Sequence, residues 1–240
     1  VRMSVFCNLT EEDIFRSIAE MKKNIDECHI FMISGGFSAG DEPDGSGKFI
    51  ANVLNNKDIA DAIHALLDRG GLILGICNGF QALVKSGLLP YGRLGMVTKE
   101  SPTLFRNDIN RHISQIVTTR VGTTNSPWLS GFAVGDLHTI AVSHGEGKFV
   151  VNEEFARELF ANGQVAFQYV DPLEEEPTME SPYNPNGSYY AIEGIISKNG
   201  QILGKMGHTE RYEGNLFKNI IDEGLEQPLF DNAVAYFRAE

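Results

Sequence analysis

The sequence predicts an α/β fold, a doubly wound, mostly parallel sheet with a cysteine nucleophile elbow at the carboxyl end of one strand. Three observations predict it. Up to Leu89, short apolar runs alternate with amphipathic stretches, the order that builds parallel strands joined by helices. Gly71 to Gln81 reads GLILGICNGFQ, a buried strand, a sharp turn and a helix, with Cys77 between Gly75 and Gly79. Ser34 to Asp41, SGGFSAGD, ends another apolar run in glycines. Both loops then stand at carboxyl ends of strands, where ligands collect in this architecture.

Taken in order, residues 2–7 (RMSVFC) read as an opening strand. Thr10 followed by Glu11, Glu12 and Asp13 has the N-cap and acidic first turn of a helix. Ile14, Phe15, Ile18, Met21 and Ile25 continue it at helical spacing. His29–Ile33 is β-branched and aromatic, a buried strand. The glycines after it bring backbone close to something, either in a tight βα turn or as N–H groups placed to receive an oxyanion. Asp44-Gly45-Ser46-Gly47 extends that loop, and helices follow over about Lys48–Leu54 and Ile59–Leu67. Leu72-Ile73-Leu74 then enters the cysteine turn. Side chains in place of Gly75 and Gly79 would collide across it. At a helix N-terminus the Cys77 thiol pKa is expected to fall, because free N–H groups and the helix dipole favour the thiolate. The alternative is a buried cysteine that merely ends a strand.

After Gly87 the pattern changes to strands with little helix between them, over 113–121, 139–142, 164–170 and 189–196. Ser143-His144-Gly145-Glu146-Gly147-Lys148 follows one of these. His144 there is a catalytic imidazole, a substrate contact or a satisfied loop histidine, and spacing does not choose. A short helix is expected over 153–160. Residues 171–187 are acidic and hold four prolines, an irregular surface loop. Its Glu174-Glu175-Glu176 run is solvated, since three consecutive carboxylates cannot all face one ion. Asn199-Gly200 between two β runs marks a hairpin. Its second strand delivers Gly207-His208-Thr209-Glu210-Arg211, where His208 and Glu210, two apart in extended backbone, project to the same side. A carboxylate beside an imidazole orients it and stabilises its charged form. Alone, such a pair defaults to a surface contact; at a strand end, in a chain with a cysteine elbow, it reads as base and orienter. Short helices close the chain over 215–238, the last near Ala233–Phe237.

The 240 residues, 42% hydrophobic, suffice for one large α/β domain or two small ones. A formal charge of −12 argues against a nucleic-acid surface and against anionic membranes. Cys7, Cys28 and Cys77 are widely spaced and odd in number, without a CxxC pair. That suits free thiols in a reducing compartment, hence a cytoplasmic protein, and gives no zinc site. No apolar run reaches membrane-spanning length, no signal-peptide pattern is present, and the chain opens with Val1. The absence of a GxxxxGK[ST] loop puts any ATP chemistry elsewhere.

Together the GxCxGxQ elbow, the upstream glycine pair and the downstream HxE resemble the class I (triad) glutamine amidotransferases. More narrowly, GGFSAGDEPDGSGKF, GICNGFQALVKSGLLPYG, AVSHGEGKF, NPNGS and GHTER occur in that order over nearly the whole chain. They are similar to the glutaminase part of the phosphoribosylformylglycinamidine synthases of purine synthesis. The resemblance implies a flavodoxin-like fold and one glutaminase domain over residues 1–240. DEPDGSGKF is closer to the single-chain form, in which this domain is the C-terminal part of a longer synthase. Glutamine would be hydrolysed here without a cofactor or metal. Ammonia would pass to a synthetase domain or subunit that uses ATP, with Mg, on formylglycinamide ribonucleotide. Carried over, the nucleophile falls on Cys77, the base on His208 and the carboxylate on Glu210. The oxyanion hole falls on backbone N–H groups at Gly36 and Asn78. Gly35, Phe37 and Gln81 line the glutamine pocket, and Ser143, His144, Gly145 and Glu146 hold the amino-acid end of glutamine. The chain departs from the resemblance at Thr209, where many relatives have proline, and at its start, where a first strand and helix are expected before Val1. Two rival readings are another cysteine hydrolase or peptidase of similar fold, and a non-catalytic binding domain. The former usually places its histidine soon after the cysteine, whereas the next one here is His112. The latter does not call for an intact Cys77, His208 and Glu210.

Overall fold

A computed structural model describes residues 1–36, 47–211, 216–217, 220 and 226–238. Most of the SGGFSAGD loop, with the expected pocket residue Phe37, lies outside the described residues, as does most of the segment between 212 and 225.

Thr10 caps the first helix as its sequence demands, its hydroxyl oxygen accepting the Asp13 N–H, and α1 runs Glu11–Glu27. Then follow β1 (Ile30–Ile33), α2 (Lys48–Leu54), α3 (Lys57–Asp68), β2 (Leu72–Ile76), α4 (Asn78–Ser86) and the single turn α5 (Leu88–Tyr91). The later half is β3 (Thr103–Phe105), β4 (Ile113–Val121), β5 (Leu137–His144), β6 (Lys148–Val150), α6 (Glu153–Ala161), β7 (Val165–Val170), β8 (Ile192–Ile196), β9 (Ile202–Lys205) and α7 (Leu229–Arg238).

The α/β class is as expected. One seven-stranded sheet has the order β1-β2-β9-β8-β7-β4-β5. β1, β2 and β9 are parallel. β9, β8, β7, β4 and β5 pair antiparallel in turn, so the sheet is mixed. The short Asn199-Gly200 connection forces the switch, because so tight a link can join only antiparallel neighbours. β2, buried over its whole length between β1 and β9, carries the cysteine turn at its carboxyl end. Phe80, Leu83 and Leu89 beside it, and Ile59, Ile63 and Leu66 of α3, belong to one large apolar core. The sheet also curls. The His208 N–H, just past β9, donates to the Ala141 carbonyl of β5 at 2.8 Å, although three strands separate β9 from β5 in the sheet order. A second small core (Val117, Ile140, Val142, Tyr169, Ala191) fills the curl.

Three expectations are corrected. Residues 2–7 form no strand. Their polar groups bond to α1 instead, with the Cys7 N–H donating to Ser17 Oγ at 2.9 Å and Asn24 Nδ2 to Ser4 Oγ at 2.8 Å. The strand expected from 189 begins at Ile192, because Tyr190 and Ala191 adopt positive φ (56° and 58°) in a 3-10 turn. The 171–187 loop is irregular, but Asn184 and Asn186 at its end, with Ser188 just beyond, are buried. Their side chains satisfy one another and nearby backbone, which removes the penalty for burying polar groups. Among the described residues, no helix is long and apolar enough to cross a membrane.

Candidate active site

Cys77 caps α4 at φ 52° and ψ −106°, a strained conformation for a residue with a side chain. The turn is tight because its neighbours leave no room. A Cβ on Gly79 would lie 2.1 Å from the Ile33 carbonyl oxygen, and one on Gly75 would lie 2.8 Å from the Gly79 backbone. The Cys77 N–H donates to the Lys205 carbonyl at 2.8 Å, so β9 holds the turn from the other side.

Three segments distant in sequence surround the sulfur. Sγ lies 3.7 Å from the Ser143 carbonyl oxygen at the end of β5. The backbone N–H groups of Asn78 and Gly36 both act on it to favour the thiolate. Asn78 Nδ2 donates to the Gly36 carbonyl at 2.8 Å, which fixes that peptide. Gly35 stands between Cys77 and His208: a Cβ there would be 3.3 Å from Cys77 Cβ and 2.8 Å from His208 Cε1. His208 Nδ1 meets Glu210 Oε1 at 2.6 Å, while its buried Nε2 has no hydrogen-bond partner among the described residues. The pairing arises differently from the expectation. β9 ends at Lys205, and Glu210 returns to the imidazole through a 3-10 turn over Thr209–Arg211 rather than by strand alternation.

The electrostatics correct a second expectation. Burial raises the Cys77 thiol pKa to about 11, outweighing the N–H groups of Asn78 and Gly36 and the charge of Arg211. The free thiol is therefore neutral near pH 7. Burial also works against ionisation of Glu210, but the hydrogen bond and charge of His208, its own backbone and Lys205 hold the carboxyl below its usual range.

The glycine-rich loop after β5 closes the other side. Gln81 Nε2 donates to the Glu146 carbonyl, tying α4 to this loop. Asn107 organises it: Nδ2 donates to the His144 carbonyl at 2.9 Å, Oδ1 accepts the Gly147 N–H at 3.1 Å and lies 3.2 Å from His144 Nδ1, and its N–H donates to the Gly145 carbonyl at 3.0 Å. His144 is buried, and burial, with the charges of His112 and His208, lowers its pKa to about 3, so the ring is neutral. Its Nε2 has no hydrogen-bond partner among the described residues. Ser143 Oγ lies 3.1 Å from His112 Nε2, and the buried Glu146 carboxylate is 4.0 Å from Arg106 Nε. Gly35, Gly36, Cys77, Asn78, Ser143, His208 and Glu210 thus meet at one place. Gln81, Gly145 and Glu146 are joined to that place through α4 and the loop.

Asn107 carried no signal in the sequence. Asn186 and Ser188 belong to the NPNGS motif, and both brace the loop after β5. Asn186 Nδ2 donates to the Gly147 carbonyl at 2.9 Å, and Ser188 Oγ accepts the Phe149 N–H at 2.9 Å. Lys205 was visible as a lone charge in the apolar stretch QILGKMG. A cavity of about 340 Å³ opens at the amino ends of β2 and β9, lined by His64, Tyr91, Arg93 and Lys198, and contains none of the expected site residues. Among the described residues, no group of three or more His, Cys, Asp or Glu side chains is arranged to hold a metal ion.

Known proteins resemble this chain in sequence and in fold. Residues 7–237 match the CobB/CobQ-like glutamine amidotransferase domain. The phosphoribosylformylglycinamidine synthase subunit PurQ of Methanococcus maripaludis (strain C5) is 36% identical over 234 residues, 90% of this chain and 84% of that one. The protein of that name from Gloeobacter violaceus is 33% identical over 196 residues, 82% of this chain and 76% of its own. Among solved structures, PurLQS from Thermotoga maritima superposes with a TM-score of 0.64 at 26% identity, covering 88% of this chain and 81% of that one. The glutaminase domain of Trypanosoma brucei CTPS, 13% identical with a TM-score of 0.50 and covering 97% of this chain and 78% of that one, shares the fold.

Proposed function

Because the chain belongs to the CobB/CobQ-like glutamine amidotransferase family, we propose that it is the glutaminase part of a phosphoribosylformylglycinamidine synthase, using Cys77, His208 and Glu210 as its triad. The observation that carries this reading is the His208–Glu210 hydrogen bond, with the buried Nε2 unpartnered among the described residues, around the glycine that separates the imidazole from Cys77. The relatives named for this synthase supply the substrate class.

A carboxamide is a poor electrophile, and a neutral thiol is a poor nucleophile. His208 Nε2 takes the thiol proton as Sγ attacks the amide carbon of glutamine, with Glu210 stabilising the imidazolium that forms. Negative charge gathers on the amide oxygen, which the N–H groups of Gly36 and Asn78 receive. Such a donor typically contributes about 3 kcal/mol. The imidazolium then protonates the departing ammonia, leaving a γ-glutamyl thioester on Cys77. In the second half His208 activates water, the thioester is hydrolysed, and glutamate leaves. Gln81 and the Ser143–Glu146 loop line the site for the rest of glutamine. Ammonia passes to the synthetase portion, where ATP chemistry converts formylglycinamide ribonucleotide to formylglycinamidine ribonucleotide.

In the complete enzyme, Cys77→Ala and His208→Ala are expected to abolish glutamine-dependent synthesis while ammonia-dependent synthesis persists. An electrophilic glutamine analogue should label Cys77 alone, with excess glutamine blocking it. Equal labelling of Cys7, Cys28 and Cys77, indifferent to glutamine, would refute the proposal.

A further inference from the structure

Lys205 is fully buried, yet the triad mechanism does not use it. An ammonium away from water is expensive unless its donors are placed. Nζ lies 2.7 Å from Gln227 Oε1, 3.1 Å from Thr209 Oγ1 and 3.9 Å from Glu193 Oε1, and 5.0 Å from the centre of the Phe167 ring. Two of these partners lead to the imidazole. Thr209 sits between His208 and Glu210, and its hydroxyl also donates to Gln227 Oε1 at 2.8 Å. Glu193 Oε1 accepts the N–H of Gly207, the residue before His208. The carbonyl of the same Lys205 accepts the Cys77 N–H at 2.8 Å.

We propose that Lys205, through Thr209 and with Glu193, is a positioning residue that sets the imidazole of His208 against Cys77. His208 is tethered on both sides, at Gly207 by Glu193 and at Thr209 by Lys205. The main chain of Lys205 fixes the nucleophile turn, so one residue joins the two halves of the triad. The titratable groups that interact with the ammonium come from three elements. They are Glu193 of β8, His138 of β5 and Glu210 in the turn, and the positive charge supports Glu210 as a carboxylate. Buried ion pairs replaced whole by uncharged residues of similar volume often leave stability unchanged. A pair with only a structural role would therefore be dispensable for turnover.

The proposal rests on the triad reading, and the test separates the two. Wild type, Thr209→Val, Thr209→Ser and the paired Lys205→Met/Glu193→Gln variant are compared in the complete enzyme for glutamine hydrolysis. Thr209→Val and the paired variant should lower kcat about ten- to a hundred-fold with KM for glutamine nearly unchanged, and Thr209→Ser should restore most of kcat. Thr209→Val should also slow iodoacetamide alkylation of Cys77, but slow it no further once His208 is Ala, because its effect runs through the imidazole. An unchanged kcat in both folded variants, a loss carried by KM, or additive slowing in the His208→Ala background would overturn the proposal. Undiminished glutamine hydrolysis by His208→Ala alone would overturn the triad itself, and the positioning role with it.

Discussion

Cys77 sits in a turn that offers its sulfur the N–H groups of Asn78 and Gly36 and at the same time buries it. Its place in a strand–turn–helix could be read directly from GLILGICNGFQ, and its φ of 52° is the strain such a turn imposes. Its protonation state was not legible. The N–H groups of the turn favour the thiolate, but the turn is covered by β9 and the end of β5, whose residues are far away in sequence, and that burial takes the pKa to about 11. Reaction of Cys77 with iodoacetamide should therefore keep rising from neutral pH up to about pH 10, since the thiolate fraction grows tenfold per pH unit below the pKa. A plateau near neutrality, measured by peptide mass spectrometry, would mean that the imidazole already holds the proton. The pairing of His208 with Glu210 was legible from HxE, although the 3-10 turn that achieves it was not.

At the scale of elements, the glycines of the elbow are set by what faces them. Gly79→Ala places a methyl 2.1 Å from the Ile33 carbonyl, so α4 must move away from β1. A loss of about 1–3 kcal/mol is expected in urea unfolding, with glutamine hydrolysis falling further than stability because Asn78 moves too. Gly95→Ala, with open space around it, should cost only the strain of its positive φ. Elements with a strong local signal were legible, among them α1 with its Thr10 cap, α2 and β4. Those with a weak one were not. β3 and β6 have three residues each, too few to show a period. Residues 2–7 alternate like a strand but have their polar groups claimed by the side chains of α1, a competition no local pattern records.

Across the whole molecule, two buried histidines and the paired carboxyl of Glu210 make stability depend on pH. His138 has its pKa lowered to about 4 by burial and by the charge of Lys205, and His144 to about 3. Both therefore fold as neutral rings. Below pH 6.5 the unfolded chain binds protons that the folded one does not, so stability falls as pH drops, until His138 titrates near 4 and His144 near 3. Each histidine contributes at most about 1.4 kcal/mol per pH unit in that window. Glu210, with its pKa lowered, adds a further loss below the usual carboxylate range. Urea midpoints should drop between pH 7.5 and pH 5, and His138→Phe should flatten the drop; an unchanged slope would show that His138 is protonated in the folded state.

The curl of the sheet was not legible at all, since it is set by the pairing of β4, β5, β7 and β8 across long stretches of chain. It has a consequence for the protein's birth on the ribosome. Cys77 emerges just after β2, but the Ser143 carbonyl that meets it follows 66 residues later, and His208 only with the turn after β9. Strand β9 enters between β2 and β8, both already synthesised, so the sheet closes only on its last strand. Until then the nascent chain holds a thiol with no base beside it. On the proposed triad, a chain cut short before β9 would carry Cys77 without the imidazole that activates it, and would leave glutamine intact.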